Sequence, residues 1–113
     1  MGFGETGGTT VARRLRRFER VLSSNLLEAE LRAAFAKERL ALPRELFDWL
    51  LWVLPDRPLT AELESVLSQR YVKGADAWHL ACALYVAEDP AALTFLTLDR
   101  HQRTAARRLG FFT

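Results

Sequence analysis

Three acidic residues, Glu30, Asp76 and Asp99, stand at positions where a carboxylate is suited to bind a cation. Glu30 lies four residues after Leu26 and four before Ala34, so a helix would place it on the apolar face. A carboxylate on such a face must be paired, hydrogen-bonded or metal-bound. The alternative is a position at the rim of the helix, where the side chain turns to solvent, because glutamate is rarely buried.

Asp76 and Asp99 each have a second interpretation as helix caps. Asp76 stands at the start of the most hydrophobic helical segment, 75–88, where free amides and the helix dipole favour a carboxylate. Asp99 has the capping-box spacing with Gln102. It also follows the strand-like segment 93–98, and open α/β sheets bind ligands at the carboxyl ends of their strands. Both interpretations stay open for each residue.

Taken together, the three acids favour a metal centre. Hard oxygen donors suit Mg²⁺ or Mn²⁺, which bind carboxylates and keep several waters. A cation in such a site activates water and stabilises the charge on a phosphodiester undergoing cleavage.

The histidines and the cysteine compete weakly for a chemical role. His79 falls inside the buried helix, where a hydrogen-bonded core histidine is the more common case. His101 has the pattern of an exposed helical residue. Cys82 is expected to be a small core residue, because no cationic neighbours that would activate a thiol surround it in the sequence.

Helical and strand-like segments alternate along the chain, and these elements must position the acids. Apolar periodicity predicts helices over 11–20, 26–39, 44–52, 62–72, 75–88 and 100–109, and strands over 20–23 and 93–98, with an edge strand at 111–112. Asn25 and Glu28 have the spacing of a capping box, and Gly110 is a natural helix stop. Two strands, each followed by a helix, predict an α/β layer structure with a parallel sheet.

Length and composition set the class of protein. The chain has 113 residues, half of them hydrophobic, which predicts one globular domain over 1–113, with the glycine-rich segment 1–8 flexible. No apolar stretch is long enough for a membrane span, and no signal peptide is visible. The single cysteine excludes an intramolecular disulfide, so we expect a cytoplasmic protein without membrane contact.

Charge is segregated along the sequence. Segment 1–20 holds five arginines against two glutamates, and segment 100–113 holds four arginines and no acid. Segment 21–99 holds seven basic and twelve acidic side chains. Basic ends around an acidic middle indicate either a surface for a polyanion beside a carboxylate site, or two solvated helix faces.

Several short motifs, in this order, resemble a PIN domain and more narrowly the VapC-type toxins of bacterial toxin–antitoxin pairs. The motifs are Ser23-Ser24, Glu30-Leu31-Arg32, Gly74-Ala75-Asp76-Ala77-Trp78-His79-Leu80-Ala81, Phe95-Leu96-Thr97-Leu98-Asp99 with Gln102, and Leu109-Gly110-Phe111. The resemblance covers roughly residues 20–112. It implies a Rossmann-like α/β/α fold with a small parallel sheet, and an acidic cluster that binds Mg²⁺ or Mn²⁺.

The resemblance also implies roles and partners. Glu30, Asp76 and Asp99 match the metal-site acids, with Thr97 as a polar neighbour in the catalytic site. The implied substrate is single-stranded RNA, and the implied protein partners are a cognate antitoxin and a second copy of the chain. The apolar run from Phe47 to Trp52 exceeds what one short helix usually buries, which also favours a homodimer.

The sequence departs from the family at its start. Members begin with a strand that ends in an aspartate central to the site, whereas no aspartate precedes Asp48 here. The chain therefore resembles an N-terminally shortened PIN domain, from a start codon assigned too late or from a shortened paralogue. Two functions follow: a metal-dependent endoribonuclease whose activity the missing aspartate impairs, or a catalytically inactive module that binds protein or RNA.

Overall fold

The fold is known from a computed structural model, which describes residues 21–48 and 50–113. The described elements are, in chain order, β1 (Val21–Ser24), α1 (Leu26–Lys37), α2 (Glu45–Asp48), β2 (Leu50–Val53), α3 (Thr60–Gln69), α4 (Gly74–Val86), a 3-10 helix (Pro90–Ala92) and α5 (Arg100–Arg108). The chain is a mixed α/β protein, as the sequence predicts. The helix predicted over 11–20 and the flexible start predicted over 1–8 lie outside the described residues.

β1 and β2 form a parallel pair that holds the two ends of the α1–α2 connection together. The register runs from Val21 opposite Leu50 to Ser24 opposite Val53. Parallel strands cannot be joined by a tight hairpin, so a long crossover must separate them, and α1 and α2 supply it. Ser24, the last residue of β1, is thereby held at a fixed place immediately before α1.

The helix predicted over 44–52 is wrong in its second half. Only Glu45–Asp48 is helical, and Leu50–Val53 is strand β2. A short apolar run fits a buried strand as well as a helix, and pairing with β1 decides between them. This pairing accounts for part of the apolar run on which the homodimer expectation rested. The homodimer itself stays a prediction.

The strand predicted over 93–98 is reduced to one bridge in the structure. Thr94 forms an isolated parallel bridge with Phe112. The Phe95 amide donates to the Phe112 carbonyl, and the Phe112 amide donates to the Leu93 carbonyl. The edge segment predicted at 111–112 therefore does pair with this stretch, but a single bridge is not a ladder. Gly110 adopts a φ of 99° just after α5, which confirms the predicted helix stop.

Helix α4 lies at the centre of the core and packs against α3, β1 and α5. Its buried residues, among them Leu80, Ala81 and Cys82, belong to two adjoining hydrophobic clusters. This confirms the predictions of a buried helix over 75–88 and of a core position for Cys82. Within residues 21–48 and 50–113, no helix has the length and apolar composition needed to cross a membrane.

We expect Leu80→Ala to lower the free energy of unfolding by about 2–5 kcal/mol, because it leaves a cavity where no solvent reaches. Leu80 is fully buried, whereas Leu67 on α3 is 48% exposed. The matched control Leu67→Ala should change stability by less than about 0.5 kcal/mol. Urea denaturation of the two variants measures both values. Similar losses would show that α4 is not the centre of the core.

Candidate functional site

A cavity of about 470 Å³ opens between β1, α1, α4 and the extended segment that precedes α5. Its size lies within the usual range of ligand sites. Its polar wall includes three of the four residues predicted from the sequence, namely Glu30, Asp76 and Thr97, together with Ser24 and His79. Its apolar wall is built mainly from α4 and from the stretch 92–96.

Ser24, His79 and Glu30 form a hydrogen-bonded chain along the polar wall. Ser24 Oγ lies 2.6 Å from His79 Nδ1. His79 Nε2 lies 2.6 Å from Glu30 Oε1 on the opposite side of the ring. Both contacts are short enough to be strong hydrogen bonds. The chain joins the end of β1, the middle of α4 and the first turns of α1.

The two bonds define the roles of the ring nitrogens. A carboxylate only accepts hydrogen bonds, so His79 Nε2 donates its proton to Glu30. In the neutral ring Nδ1 is then an acceptor, and the Ser24 hydroxyl donates to it. Both ring nitrogens of His79 thus have a partner of the right kind, which a partly buried histidine requires.

A carboxylate near an apolar helix face needs a polar partner, and Glu30 has one because it accepts a hydrogen bond from His79. Its side chain is 45% exposed, while Leu27 and Leu31 of the same helix are buried. The neighbouring Glu28 points away and pairs with Arg32 at 2.9 Å, as an i, i+4 pair should.

Asp76 lies in the first turn of α4 and lines the same cavity as Glu30. His79 follows it by three residues, so both side chains leave the same face of α4. The main-chain carbonyl of Asp76 accepts a hydrogen bond from Gln102 Nε2 at 3.4 Å, which links the start of α4 to α5. α4 therefore contributes one acid and one histidine to the polar wall.

Asp99 caps α5, as one of its two interpretations predicts. Its Oδ1 accepts the Gln102 amide at 2.8 Å. This hydrogen bond, with help from the His101 amide and nearby cations, lowers the pKa of the Asp99 carboxyl below its usual value. Thr97 lines the cavity, but Asp99 is not among the described residues that line it.

Thr97 is held in the cavity wall by the same turn. Its hydroxyl donates to Gln102 Oε1 at 2.5 Å and accepts the Asp99 amide at 3.0 Å. Gln102 is buried, so its side chain is fixed between Thr97 and the Asp76 carbonyl. The sequence identifies Gln102 only as a capping partner, but in the structure it connects the two halves of the site.

The capping box predicted for Asn25 and Glu28 does not form. The Asn25 side chain makes no capping hydrogen bond to α1. Its Oδ1 instead accepts the indole N–H of Trp78 at 3.2 Å. The Asn25 side chain thus bonds to a residue distant in the sequence and not to the first amides of α1. This contact is a second link between α4 and the start of α1.

The polar wall of the cavity contains oxygen donors of the kind that bind a divalent cation. In the part of the chain that the structure describes, no three His, Cys, Asp or Glu side chains are close enough to form a metal site. Two carboxylates, Glu30 and Asp76, do line one cavity together with the Thr97 hydroxyl. Mg²⁺ is often bound by one or two carboxylates and several waters, so the types of donor in this wall suit it. The three-acid site that includes Asp99 stays a prediction.

Helix α5 is basic, and one of its arginines contacts the wall of this site. The helix carries Arg100, Arg103, Arg107 and Arg108. Arg103 Nη2 donates to the main-chain carbonyl of Thr97 at 3.0 Å, which places one guanidinium beside the cavity wall. His101 contacts the guanidinium of Arg70. Helix α5 therefore carries four arginines, one of which lies beside the cavity wall that contains the two acids.

The comparisons with known proteins give no relatives for this chain. No protein-family model, no curated protein and no solved structure matches it.

We expect Asp99→Ala to lower the free energy of unfolding at neutral pH by about 0.5–1 kcal/mol, because α5 loses its cap. Since folding lowers the pKa of Asp99, its stabilisation is present above the usual aspartate pKa of about 4 and disappears as pH falls through the lower folded value. The difference between wild type and variant should therefore narrow below about pH 4. Asn is itself a good cap, so the control Asp99→Asn should lose less stability.

Urea denaturation of all three proteins at neutral and acidic pH measures these differences. If Asp99→Ala lowers the free energy of unfolding by the same amount over the whole pH range, the ionised carboxylate does not act as the cap.

Proposed function

We propose that this chain is a metal-dependent endoribonuclease of PIN type, with the cavity between α1 and α4 as its active site. The observation that supports it is the presence of Glu30 and Asp76, from two different helices, in the wall of one cavity beside Thr97. The Rossmann-like α/β/α arrangement and the VapC resemblance belong to the same proposal. A small parallel sheet flanked by helices is compatible with it.

The proposed roles follow from the chemistry of the side chains. Glu30 and Asp76 would hold Mg²⁺ or Mn²⁺, which supplies an activated water and charge stabilisation when it is bound. The Thr97 hydroxyl donates its proton to Gln102 and accepts the Asp99 amide, so it would orient a water that donates to its remaining lone pair. The Asp99 carboxylate adds negative charge near the site while it caps α5.

The proposed substrate is single-stranded RNA. Exposed arginines on α5 attract a phosphate backbone, and the two acids keep the backbone away from the cavity unless a cation screens them. Binding of a basic antitoxin segment to the same acids is an additional proposal that rests on the family resemblance.

We propose that cleavage by this chain is slow. Two carboxylates line the cavity, whereas Asp99 is committed to the α5 amides. A cation with few protein ligands is held loosely, so the water and the scissile phosphate are poorly placed. A loss of about 3–4 kcal/mol in positioning and charge stabilisation slows the reaction by roughly two to three powers of ten.

The second candidate function is an RNA- or protein-binding module without catalysis. One observation favours it: the carboxylates that would bind the metal already have protein partners. Glu30 accepts from His79, and Asp99 accepts from the Gln102 amide. In this alternative the acids stabilise the fold, and the arginines of α5 bind the partner.

For the nuclease, we expect weak Mn²⁺-dependent cleavage of labelled single-stranded RNA by the wild type. Asp76→Asn should abolish it, because the charge that holds the cation is lost while the volume is kept. The matched control is Asp48→Asn, which removes an exposed aspartate from α2, away from the cavity wall. A time course with Mn²⁺ or with a chelator measures the rates.

The outcomes separate the two candidates. Cleavage that survives Asp76→Asn, or that persists with the chelator, would contradict the proposed active site. Complete inactivity of a wild type that still binds RNA would favour the binding module. Brisk cleavage by the wild type would refute the proposal that the site is impaired.

For RNA binding, we expect the double variant Arg100→Gln, Arg107→Gln to weaken affinity at low salt. Each lost phosphate contact should reduce the slope of log K against log salt by roughly 0.7 for a single strand. The control Arg57→Gln, Arg32→Gln removes the same charge from guanidiniums that pair with Glu62 and Glu28. Fluorescence anisotropy over a salt series measures both slopes. Equal slopes for both double variants would show that net charge, and not the α5 face, binds RNA.

A further inference from the structure

We propose that Ser24 and His79 are positioning residues that fix the Glu30 carboxylate in the cavity wall that also contains Asp76, so that the two acids can bind one cation. The inference rests on the proposed function, because it assigns the cavity acids to a divalent cation. It adds two residues to that site that are not themselves ligands. The observation that carries it is the continuous hydrogen-bonded chain from Ser24 through His79 to Glu30.

Ser24 anchors one end of the hydrogen-bonded chain at a fixed position. It is the last residue of β1, is 5% exposed, and lies opposite Val53 in the parallel pair. A buried hydroxyl on a paired strand has little freedom to move. Its bond to Nδ1 therefore fixes the orientation of the His79 ring, while the Glu30 carboxylate, which only accepts, keeps the proton on Nε2.

His79 transmits that orientation to Glu30. Because the Glu30 carboxylate only accepts, Nε2 carries the proton and donates to Glu30 Oε1, and Nδ1 of the neutral ring accepts from Ser24. The glutamate side chain is 45% exposed and would otherwise sample several rotamers. The bond uses Oε1, so Glu30 can present Oε2 to a cation. Hydrogen-bonded partners of this kind commonly orient metal-binding carboxylates.

The position of His79 on α4 explains why this bond matters for both acids. Asp76 precedes His79 by three residues on the same helix face, so the two share one rigid support. Glu30 belongs to α1 and reaches that support through His79. The separation of the two carboxylates therefore depends on the His79–Glu30 bond.

The alternative is a purely structural role, in which the hydrogen-bonded chain only provides partners for buried polar atoms. The two roles differ in what they predict. A structural chain affects stability whether or not a cation is present. A positioning chain affects cation affinity, and it does so only while Glu30 can act as a ligand.

The experiment measures Mn²⁺ affinity by calorimetric titration at one fixed pH, with thermal unfolding as the check on folding. We expect His79→Leu to weaken Mn²⁺ binding by about 10–100-fold, the usual effect of losing a residue that orients a ligand. His79→Gln, whose amide can still donate to Glu30, should restore most of the affinity. Ser24→Ala should weaken binding by a smaller factor, and the control Ser65→Ala, at an exposed site on α3, should not change it.

A double-mutant cycle separates positioning from general damage. In a Glu30→Gln background, His79→Leu should cause no further loss of Mn²⁺ affinity, because His79 acts only through Glu30. If His79→Leu fails to fold, the same cycle with Ser24→Ala takes its place. An undiminished effect in that background would overturn the positioning role.

The results also distinguish this inference from the proposed function. If the wild type binds Mn²⁺ and neither His79→Leu nor Ser24→Ala weakens it, the positioning role is wrong and the metal site stands. If the wild type binds no Mn²⁺ while its fold is intact, the proposed metal site is wrong and the positioning role falls with it. Loss with His79→Leu, rescue with His79→Gln and no further loss in the Glu30→Gln background would support both.

Discussion

The hydrogen bond between His79 and Glu30 is the contact on which the arrangement of the cavity depends. It joins α4, the buried centre of the core, to α1. Without it Glu30 would be a solvated side chain on a helix rim, and Asp76 would remain as a lone acid near a helix start. With it, two carboxylates from distant parts of the sequence lie in one wall.

That bond depends in turn on the different roles of the faces of α4. Leu80, Ala81 and Cys82 hold the helix in the core, and burial raises the pKa of the Cys82 thiol to about 11, so the thiol stays protonated and inert. The face that carries Asp76 and His79 is turned towards the cavity. A helix fixed by its apolar faces can present polar groups with little freedom, which a site of few ligands requires.

Local patterns predict much of this arrangement, and tertiary pairing determines the rest. The cap at Asp99, the stop at Gly110 and the burial of α4 depend on neighbours in the sequence, so spacing alone predicts them. Spacing alone does not predict strand β2, because a short apolar run fits a helix as well as a strand until β1 pairs with it. The hydrogen-bonded chain is equally hidden: nothing within a few residues of Ser24 or Glu30 indicates that His79 lies between them. Three acids near helix starts and strand ends predicted a single metal centre, whereas the described structure brings Glu30 and Asp76 to the cavity and uses Asp99 as a cap.

The central claim is that Glu30 and Asp76 together bind a divalent cation in the cavity. Paramagnetic broadening of amide NMR signals during a Mn²⁺ titration tests it most directly, because the effect falls steeply with distance from the ion. A cation bound by these acids should broaden the signals of Glu30, Asp76 and Thr97 first, while those of Ser65 and Ser68 on α3 persist. Broadening that begins instead around the exposed acids of α3, or that spreads evenly over the acidic surface, would contradict it.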